Sequence, residues 1–287
     1  MNIKTLADTP PWDWPVDARD TLLAALRDER TPEADRSLAA QLAGDWVVMN
    51  DALAGALVAT VRNSRWSDDT RGTAAIALGP TLENADTMDF DDEDDVLISE
   101  ECFHRTRAAL QELYRDPEIP DTVRRDVLES SVHAPQEWHA DAVRQAYSRD
   151  DSSWRRTAVF CMSFIPGFED EILEALRSSD EELERNAIHA AGDQRVEEAW
   201  PHIVALIDSD DTPKPILLAA IDAVVNLRPE EATLVLGELV ESEDEDISEA
   251  VLDALALVED PDGDDDFEDD DDDEDDDKGP ANDKRGR

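Results

Sequence analysis

Two histidines and a carboxylate lie close together in one short stretch of the sequence. His133 and His139 flank Glu137 and Trp138 in the segment VHAPQEWH. Imidazole and carboxylate groups are common ligands of zinc and iron, so these residues could form a small metal site or a substrate site beside an aromatic ring. The alternative is a turn that caps a helix. We favour the cap, because turns before helices more often cap than bind.

A second candidate for chemistry is a cluster of arginines in a chain that has only 26 basic residues. A guanidinium group can bind a carboxylate through two parallel hydrogen bonds. Such arginines could hold neighbouring helices in register, which is the interpretation we favour, or they could bind a partner, with Trp138 and Trp154 as aromatic anchors. The residues predicted to bind a partner are Arg124, Arg125, Trp138, Arg155, Arg156 and Arg185.

Motifs of common enzyme classes do not occur in the sequence. There is no phosphate-binding G-x-x-x-x-G-K-[ST] or G-x-G-x-x-G, no nucleophile G-x-S-x-G and no zinc-binding H-E-x-x-H. Cys102 and Cys161 stand far apart, which is wrong for a zinc site, and we expect them to be reduced and buried. We therefore predict no catalytic residue, no cofactor and no metal.

The net charge of −48 is extreme and is spread over the whole chain. Residues 261–287 contain 15 acidic and 4 basic residues, and the remaining 260 residues contain 59 acidic and 22 basic ones. Acidic side chains distributed over the whole surface of a protein usually keep it hydrated. We therefore interpret the negative charge as adaptation to a salt-rich cytoplasm. The alternative is a polyanionic surface for a basic partner. Direct binding to nucleic-acid phosphates is disfavoured by either interpretation.

Apolar residues are distributed in helical patterns of ordinary length. No apolar stretch approaches the length of a membrane span, and the N-terminus lacks the features of a secretory signal. We expect a soluble, cytoplasmic monomer that does not bind a membrane.

Helical patterns fill residues 17–260, and in the second half a similar unit recurs at a fixed period. Small residues at one position of this unit, Cys161, Ala190, Ala223 and Ala254, are 29, 33 and 31 residues apart. This is the period of a helix pair, and no strand alternation is present. The pattern predicts an all-α stack of about seven antiparallel helix pairs.

Three segments lie outside this pattern. Residues 1–16 contain three prolines and are predicted to be a non-helical cap of the stack, although Trp12 and Trp14 could instead clamp a ligand. Residues 83–97 are predicted to be an acidic loop, either a linker or a contact region. Residues 261–287 are predicted to be a disordered acidic tail that keeps the protein soluble, or else acts as a chaperone or nucleic-acid mimic.

The repeated unit resembles the second helix of HEAT repeats, where an Asp precedes the helix and an Arg lies near its start. Asp68 and Arg71 match this pattern, as do Asp121 with Arg124. The units at Lys214 and Asp246 lack the Arg. The resemblance extends over residues 17–258 and implies a right-handed HEAT/ARM-like superhelix that binds a partner on its concave face.

Some enzymes also resemble HEAT repeats, namely bilin lyases and a di-iron hydroxylase whose iron sits on His-Glu pairs. None of the five histidines of this chain is followed by Glu, so the iron ligands of the hydroxylase are missing. Our leading hypothesis is a non-catalytic scaffold or adaptor for a protein or peptide. The alternatives are a bilin-lyase-like or metal-dependent enzyme, and a protein that acts through its acidic tail.

Overall fold

The computed structural model describes residues 2–88, 90 and 96–259. Within these ranges the regular structure is helical and contains no strand, which confirms the all-α prediction. Short 3-10 turns at 11–13, 197–199 and 239–241 complete the regular structure. The helices are α1 Ile3–Ala7, α2 Ala18–Arg27, α3 Glu33–Leu42, α4 Asp51–Arg62, α5 Asp68–Ile76, α6 Gly79–Thr87, α7 Glu100–Arg115, α8 Asp121–Ser131, α9 Glu137–Tyr147, α10 Ser152–Met162, α11 Glu169–Ala175, α12 Glu181–Asp193, α13 Trp200–Ile207, α14 Lys214–Leu227, α15 Pro229–Leu236 and α16 Glu245–Glu259.

Consecutive helices pack against each other two by two. The pairs are α2 with α3, α4 with α5, α7 with α8, α9 with α10, α11 with α12, α13 with α14, and α15 with α16. The second members also contact one another in chain order, from α3 through α5, α8, α10, α12 and α14 to α16. We call these seven helices the second-helix row.

Small residues make this row tight, because they let helix backbones approach closely. The four repeat positions predicted to lie in the contact are at most 3% exposed. Gly192 on α12 is an example: a Cβ atom added to it would lie 3.0 Å from the Cα of Ala223. The contact between α12 and α14 therefore depends on a residue without a side chain.

Side-chain caps explain where many of these helices begin. Asn50, Ser67, Ser99, Asp151 and Asp180 each accept a hydrogen bond from a backbone N–H in the first turn of the following helix. Such caps satisfy donors that have no partner within the helix.

The apolar interior consists of two clusters that meet on α8. Val127 belongs to the cluster that extends back to Leu6, and Leu128 belongs to the cluster that extends forward to Ala254. Tyr114 packs against both. Each helix pair thus buries its apolar face against its neighbours, as stacked repeats must.

The N-terminal segment differs from the prediction, which excluded regular helix from residues 1–16. The helix α1 forms before the first proline, and Asn2 caps it by accepting from the N–H of Thr5 at 2.9 Å. The indole of Trp14 donates to the carbonyls of Leu6 and Thr9, and α1 contacts α3. The prediction was wrong because the helix-breaking effect of the prolines begins only at Pro10.

The boundary of the predicted acidic loop also differs. A loop was predicted over 83–97, but the chain turns after α5 and forms α6, so residues 83–87 are helical. Burial of Leu82 and Ala85 on one face explains this helix. Residues 89 and 91–95 of the loop, and the whole predicted tail at 261–287, lie outside the described residues.

Candidate functional site

A groove of about 1340 Å³ runs along the second-helix row. It begins beside Gly44, just after α3, crosses α5, α8, α10 and α12, and ends on α14. Three of the predicted partner-binding residues line it, namely Arg125, Arg156 and Arg185. The other three, Arg124, Arg155 and Trp138, are not among its lining residues.

The three groove arginines differ in how they are paired. The Nη2 atom of Arg125 lies 3.7 Å from Oδ1 of Asp126. Arg156 donates from Nε and Nη2 to the carboxylate of Asp180, at 3.0 and 2.8 Å, and its Nη1 lies 3.0 Å from Glu182. Arg185 is exposed and has no ion pair within the described part of the chain. It is therefore the groove cation that is free for a ligand.

Arg124 and Arg155 point elsewhere because each precedes a groove arginine by one position. Successive side chains on an α-helix diverge by about 100°. Arg124 binds Asp121 on its own helix, and Arg155 lies 3.5 Å from both Glu174 and the hydroxyl of Tyr147. The contact of Arg124 therefore lies within α8, whereas Arg155 links α10 to α9 and α11.

The two tryptophans predicted as anchors are packed within the protein. Trp154 is only 3% exposed and belongs to the core. Trp138 is half-buried, stacks on His139 with ring centroids 3.8 Å apart, and lies 5.1 Å from the ring of Tyr114. Because Trp154 is buried, a partner cannot reach it as an anchor. The contacts of Trp138 are those of a packing residue.

His139 is a buried helix cap. Its Nδ1 accepts from the N–H of Gln136 at 2.9 Å, so the ring carries its proton on Nε2, which lies 3.0 Å from Ser131 Oγ. Burial is the main cause that lowers the pKa of His139 to about 4. The Ser131 hydroxyl in turn donates to the carbonyl of Leu128. Because Nε2 of His139 already carries a proton and donates it to Ser131, the imidazole cannot remove the hydroxyl proton of Ser131. This pair is therefore structural.

His133 has different partners. Its Nδ1 lies 2.8 Å from Glu83 Oε2 on α6, and its ring lies 4.5 Å from the ring of Phe164. A Cβ added to Gly79 would lie 2.9 Å from this imidazole. His133 therefore joins α6 to α8 and α10. Within 2–88, 90 and 96–259 no three His, Cys, Asp or Glu side chains are arranged to hold a metal ion.

Four carboxylates that were not predicted from the sequence also line the groove. Asp126 and Glu129 are one turn apart on α8, whereas Asp193 lies at the end of α12 and Asp222 on α14. Their helical spacing and their position beside buried residues could have indicated them. They were hidden by the number of acidic residues in the chain, 74 in total.

These carboxylates are in an environment that disfavours their charge. Burial raises the pKa of Asp126 to about 6, and Asp69 adds to this while Arg125 opposes it. Its carboxylate lies directly against Gly72, where any side chain would collide with it. Burial, followed by the charge of Asp126, also raises the pKa of Glu129. Both groups are thus poorly solvated anions.

Asp193 and Asp222 are exposed to water, but the walls of the groove surround them. Partial desolvation raises the pKa of both, and the nearby His189 lowers both. Their mutual repulsion raises the pKa of Asp193 further. A cation brought to this end of the groove would stabilise both charges.

Aromatic rings occupy the middle of the groove. Phe160 on α10 and Phe164 in the turn just after it have ring centroids 5.5 Å apart and are half-buried. They give the groove an apolar floor between its acidic ends.

Comparisons with known proteins give little further guidance. No protein-family model matches the chain, and no curated protein matches its sequence. Among solved structures, an engineered protein is 16% identical with a TM-score of 0.41, covering 72% of this chain and 96% of its own. The complex of CpcE and CpcF of phycocyanin lyase from Nostoc sp. PCC7120 is 18% identical with a TM-score of 0.44, and the match covers 88% and 80%.

Human deoxyhypusine hydroxylase in complex with glycerol is 13% identical with a TM-score of 0.38, and that match covers 90% of this chain and 96% of the human one. Identity and TM-score are low in all three cases, so none of them indicates a function for this chain. Among the described helices, none is both long enough and apolar enough to cross a membrane.

Proposed function

We propose that this chain is a non-catalytic, HEAT-like scaffold that binds a protein or peptide partner along its groove. The proposal includes a right-handed superhelix of about seven antiparallel helix pairs, with the second-helix row on the concave side. The packing of consecutive helices in pairs and the continuous row of second helices support it. Stacked pairs of this kind form extended binding surfaces.

The groove itself carries the proposal. It crosses five second helices in succession, which makes it longer than a pocket for one small molecule, and its volume of about 1340 Å³ exceeds the usual range for such pockets. Its lining combines the half-buried rings of Phe160 and Phe164 with the unpaired Arg185. Aromatic and arginine side chains contribute most strongly to protein interfaces.

The groove geometry revises the binding residues. Arg125, Arg156 and Arg185 remain candidates, and Phe160 and Phe164 replace the tryptophans as anchors. The metal-dependent alternative at His133 and His139 is less favoured than groove binding, because each imidazole has its own partners among the described residues. A role for the acidic tail stays an alternative, and the test below distinguishes it from binding along the groove.

We also propose that the protein works in a salt-rich cytoplasm. The 59 acidic against 22 basic residues outside the acidic tail support this, since a highly charged body needs counterions to limit its own repulsion. Cys102 and Cys161 are both free and buried, as is usual where thiols stay reduced.

Site-specific photo-crosslinking tests the binding proposal. A photoreactive phenylalanine analogue replaces Phe164 in the groove, and in a control chain it replaces Leu234, which is 84% exposed on the outer helix α15. After irradiation in the native host, position 164 should capture one defined polypeptide that position 234 does not. Capture from position 234 and not from position 164 would contradict the proposal. It would also be contradicted if the partner captured at position 164 were lost on removal of residues 261–287.

A further inference from the structure

The distribution of charge along the groove bears on what kind of partner fits it. Six carboxylates and three guanidinium groups line it. Arg156 and Glu182 neutralise each other at 3.0 Å, and Arg156 also binds Asp180. The other five carboxylates face the guanidinium groups of Arg125 and Arg185 and the imidazole of His189, so acidic groups outnumber basic ones in the groove.

Four of these carboxylates lack a close cationic partner. Asp126 has only the 3.7 Å contact with Arg125. Within the described part of the chain, no Lys or Arg nitrogen lies within the 4.0 Å ion-pair distance of Glu129, Asp193 or Asp222. Glu129 has a hydroxyl partner, since Thr157 Oγ1 donates to it at 3.3 Å. A cation supplied from outside would complete the pairing.

Carboxylates outside the groove show the contrast. Asp180 is paired with Arg156, and Asp244 with Lys214 at 2.7 Å, and in both cases the pKa is lowered, chiefly by that hydrogen bond. Burial instead raises the pKa of Asp126, Glu129, Asp193 and Asp222. Asp180 and Asp244 are thus paired with cations, whereas Glu129, Asp193 and Asp222 have no Lys or Arg within the ion-pair distance among the described residues.

The order of helices in the row separates these charges into two ends. Asp126 and Glu129 are on α8, the two phenylalanines are on the last turn of α10 and just after it, and Asp193 and Asp222 are on α12 and α14. Contacts run from α8 to α10 to α12 to α14. The groove thus presents an acidic end, an apolar floor and a second acidic end.

We propose that the groove binds a segment of a partner protein in which basic residues flank a central apolar residue, the cations pairing with the two acidic ends and the apolar residue packing on Phe160 and Phe164. This inference rests on the proposed function and specifies the partner for the same groove. Neighbouring helices are about 8–10 Å apart, and an extended chain rises about 3.3 Å per residue. The two basic positions should therefore be roughly five to nine residues apart.

Peptide binding to the full-length protein tests this arrangement. The probe is a fluorescein-labelled ten-residue peptide with two basic residues at each end and a Leu-Phe centre, and its binding is followed by fluorescence anisotropy at the lowest salt concentration at which circular dichroism shows the protein to be folded. A second peptide of the same composition carries all its basic residues at one end. The groove should bind the first peptide at least about tenfold more tightly than the second, because only the first matches both acidic ends.

Two double variants locate the binding. Asp193→Asn with Asp222→Asn removes the charge of one acidic end at exposed positions, so the fold should be retained. Asp141→Asn with Asp253→Asn removes two exposed charges outside the groove. The groove variant should bind the probe about tenfold more weakly than the native chain, and the control variant should bind it equally well.

Four results would overturn the inference. Equal binding by both variants would assign the peptide to the acidic residues 264–277, and equal binding of both peptides would indicate non-specific attraction. Binding that appears only after Lys284, Arg285 and Arg287 are changed to Ser would identify the basic end of this chain as the occupant. A partner that crosslinks to position 164 but is insensitive to Asp193→Asn with Asp222→Asn would leave the proposed function intact and refute only the basic segment.

Discussion

Arg156 on α10 clasps the carboxylate of Asp180, the residue that caps α12. Nε and Nη2 of the guanidinium donate to Asp180 at 3.0 and 2.8 Å, and Oδ1 of Asp180 accepts from the N–H of Leu183 at 3.2 Å. Lys214 on α14 binds Asp244 before α16 in the same way. These contacts link the first turns of successive second helices and hold the row in register.

The role of Asp180 can be measured by comparing two substitutions. Asp180→Ala removes both the cap and the ion pair and should lower the free energy of unfolding by about 1 kcal/mol or more. Asp180→Asn retains an oxygen that can cap α12, so it should have a smaller effect. Urea unfolding followed by circular dichroism checks the order. Equal losses for the two variants would mean that the cap contributes nothing.

His139 should make stability depend on pH. Its pKa is lowered to about 4 in the folded protein, against an ordinary value near 6.5. Between these values the unfolded chain binds a proton that the folded protein does not, so stability is lost as the pH falls from about 6.5 to 4. Relative to a His139→Gln variant, the native chain should lose roughly 2–3 kcal/mol across this window.

The matched control is His104→Gln, because His104 has a side chain that is 62% exposed. Its stability should follow that of the native chain at every pH. If the native chain and His139→Gln show parallel pH profiles, His139 is not held in its neutral form.

Asp126 should have the opposite effect on stability. Its pKa is raised to about 6 in the folded protein, so its contribution is fully favourable only below about pH 4 and is lost as the pH rises through 6. Asp126→Asn should therefore stabilise the protein at pH 7.5 by roughly 1–3 kcal/mol. The gain should vanish near pH 4, and thermal unfolding at the two pH values measures it. A gain that is independent of pH would refute the electrostatic explanation.

Two glycines allow a test of helix packing. Gly192→Ala places a methyl group about 3 Å from the backbone of Ala223 and should destabilise the protein by roughly 1–3 kcal/mol. Gly55 on α4 has nothing within 4 Å of its added Cβ, so Gly55→Ala should stabilise by about 0.5–1 kcal/mol through the higher helix propensity of alanine. Equal effects of the two substitutions would contradict close packing of α12 on α14.

Much of the fold could be predicted because helix pairs are encoded locally. The small residues at Cys161, Ala190, Ala223 and Ala254 are buried as their period predicts. Errors arose where tertiary packing decides the outcome. Residues 83–87 lack an apolar period of their own, yet they continue α6, whose Leu82 and Ala85 find a buried face.

The binding surface could be predicted only in part, because it depends on side-chain direction. Arg155 and Arg156 are adjacent in sequence, but only Arg156 reaches the groove. Trp154 is attractive as an anchor by residue type, yet its place in the first turn of α10 buries it. The carboxylate of Asp126 stands out from the other acidic residues only in the folded protein, where Gly72 of α5 packs against it.

The affinity of the crosslinked partner for groove variants tests the central claim most directly. Calorimetric titration compares the native chain with Phe164→Ala, with Arg185→Ser and with Leu234→Ala, after circular dichroism has shown that each variant is folded. We predict that each groove substitution weakens binding at least about tenfold, and that Leu234→Ala leaves it unchanged. Unchanged affinity in both groove variants would contradict the assignment of the groove as the partner-binding surface.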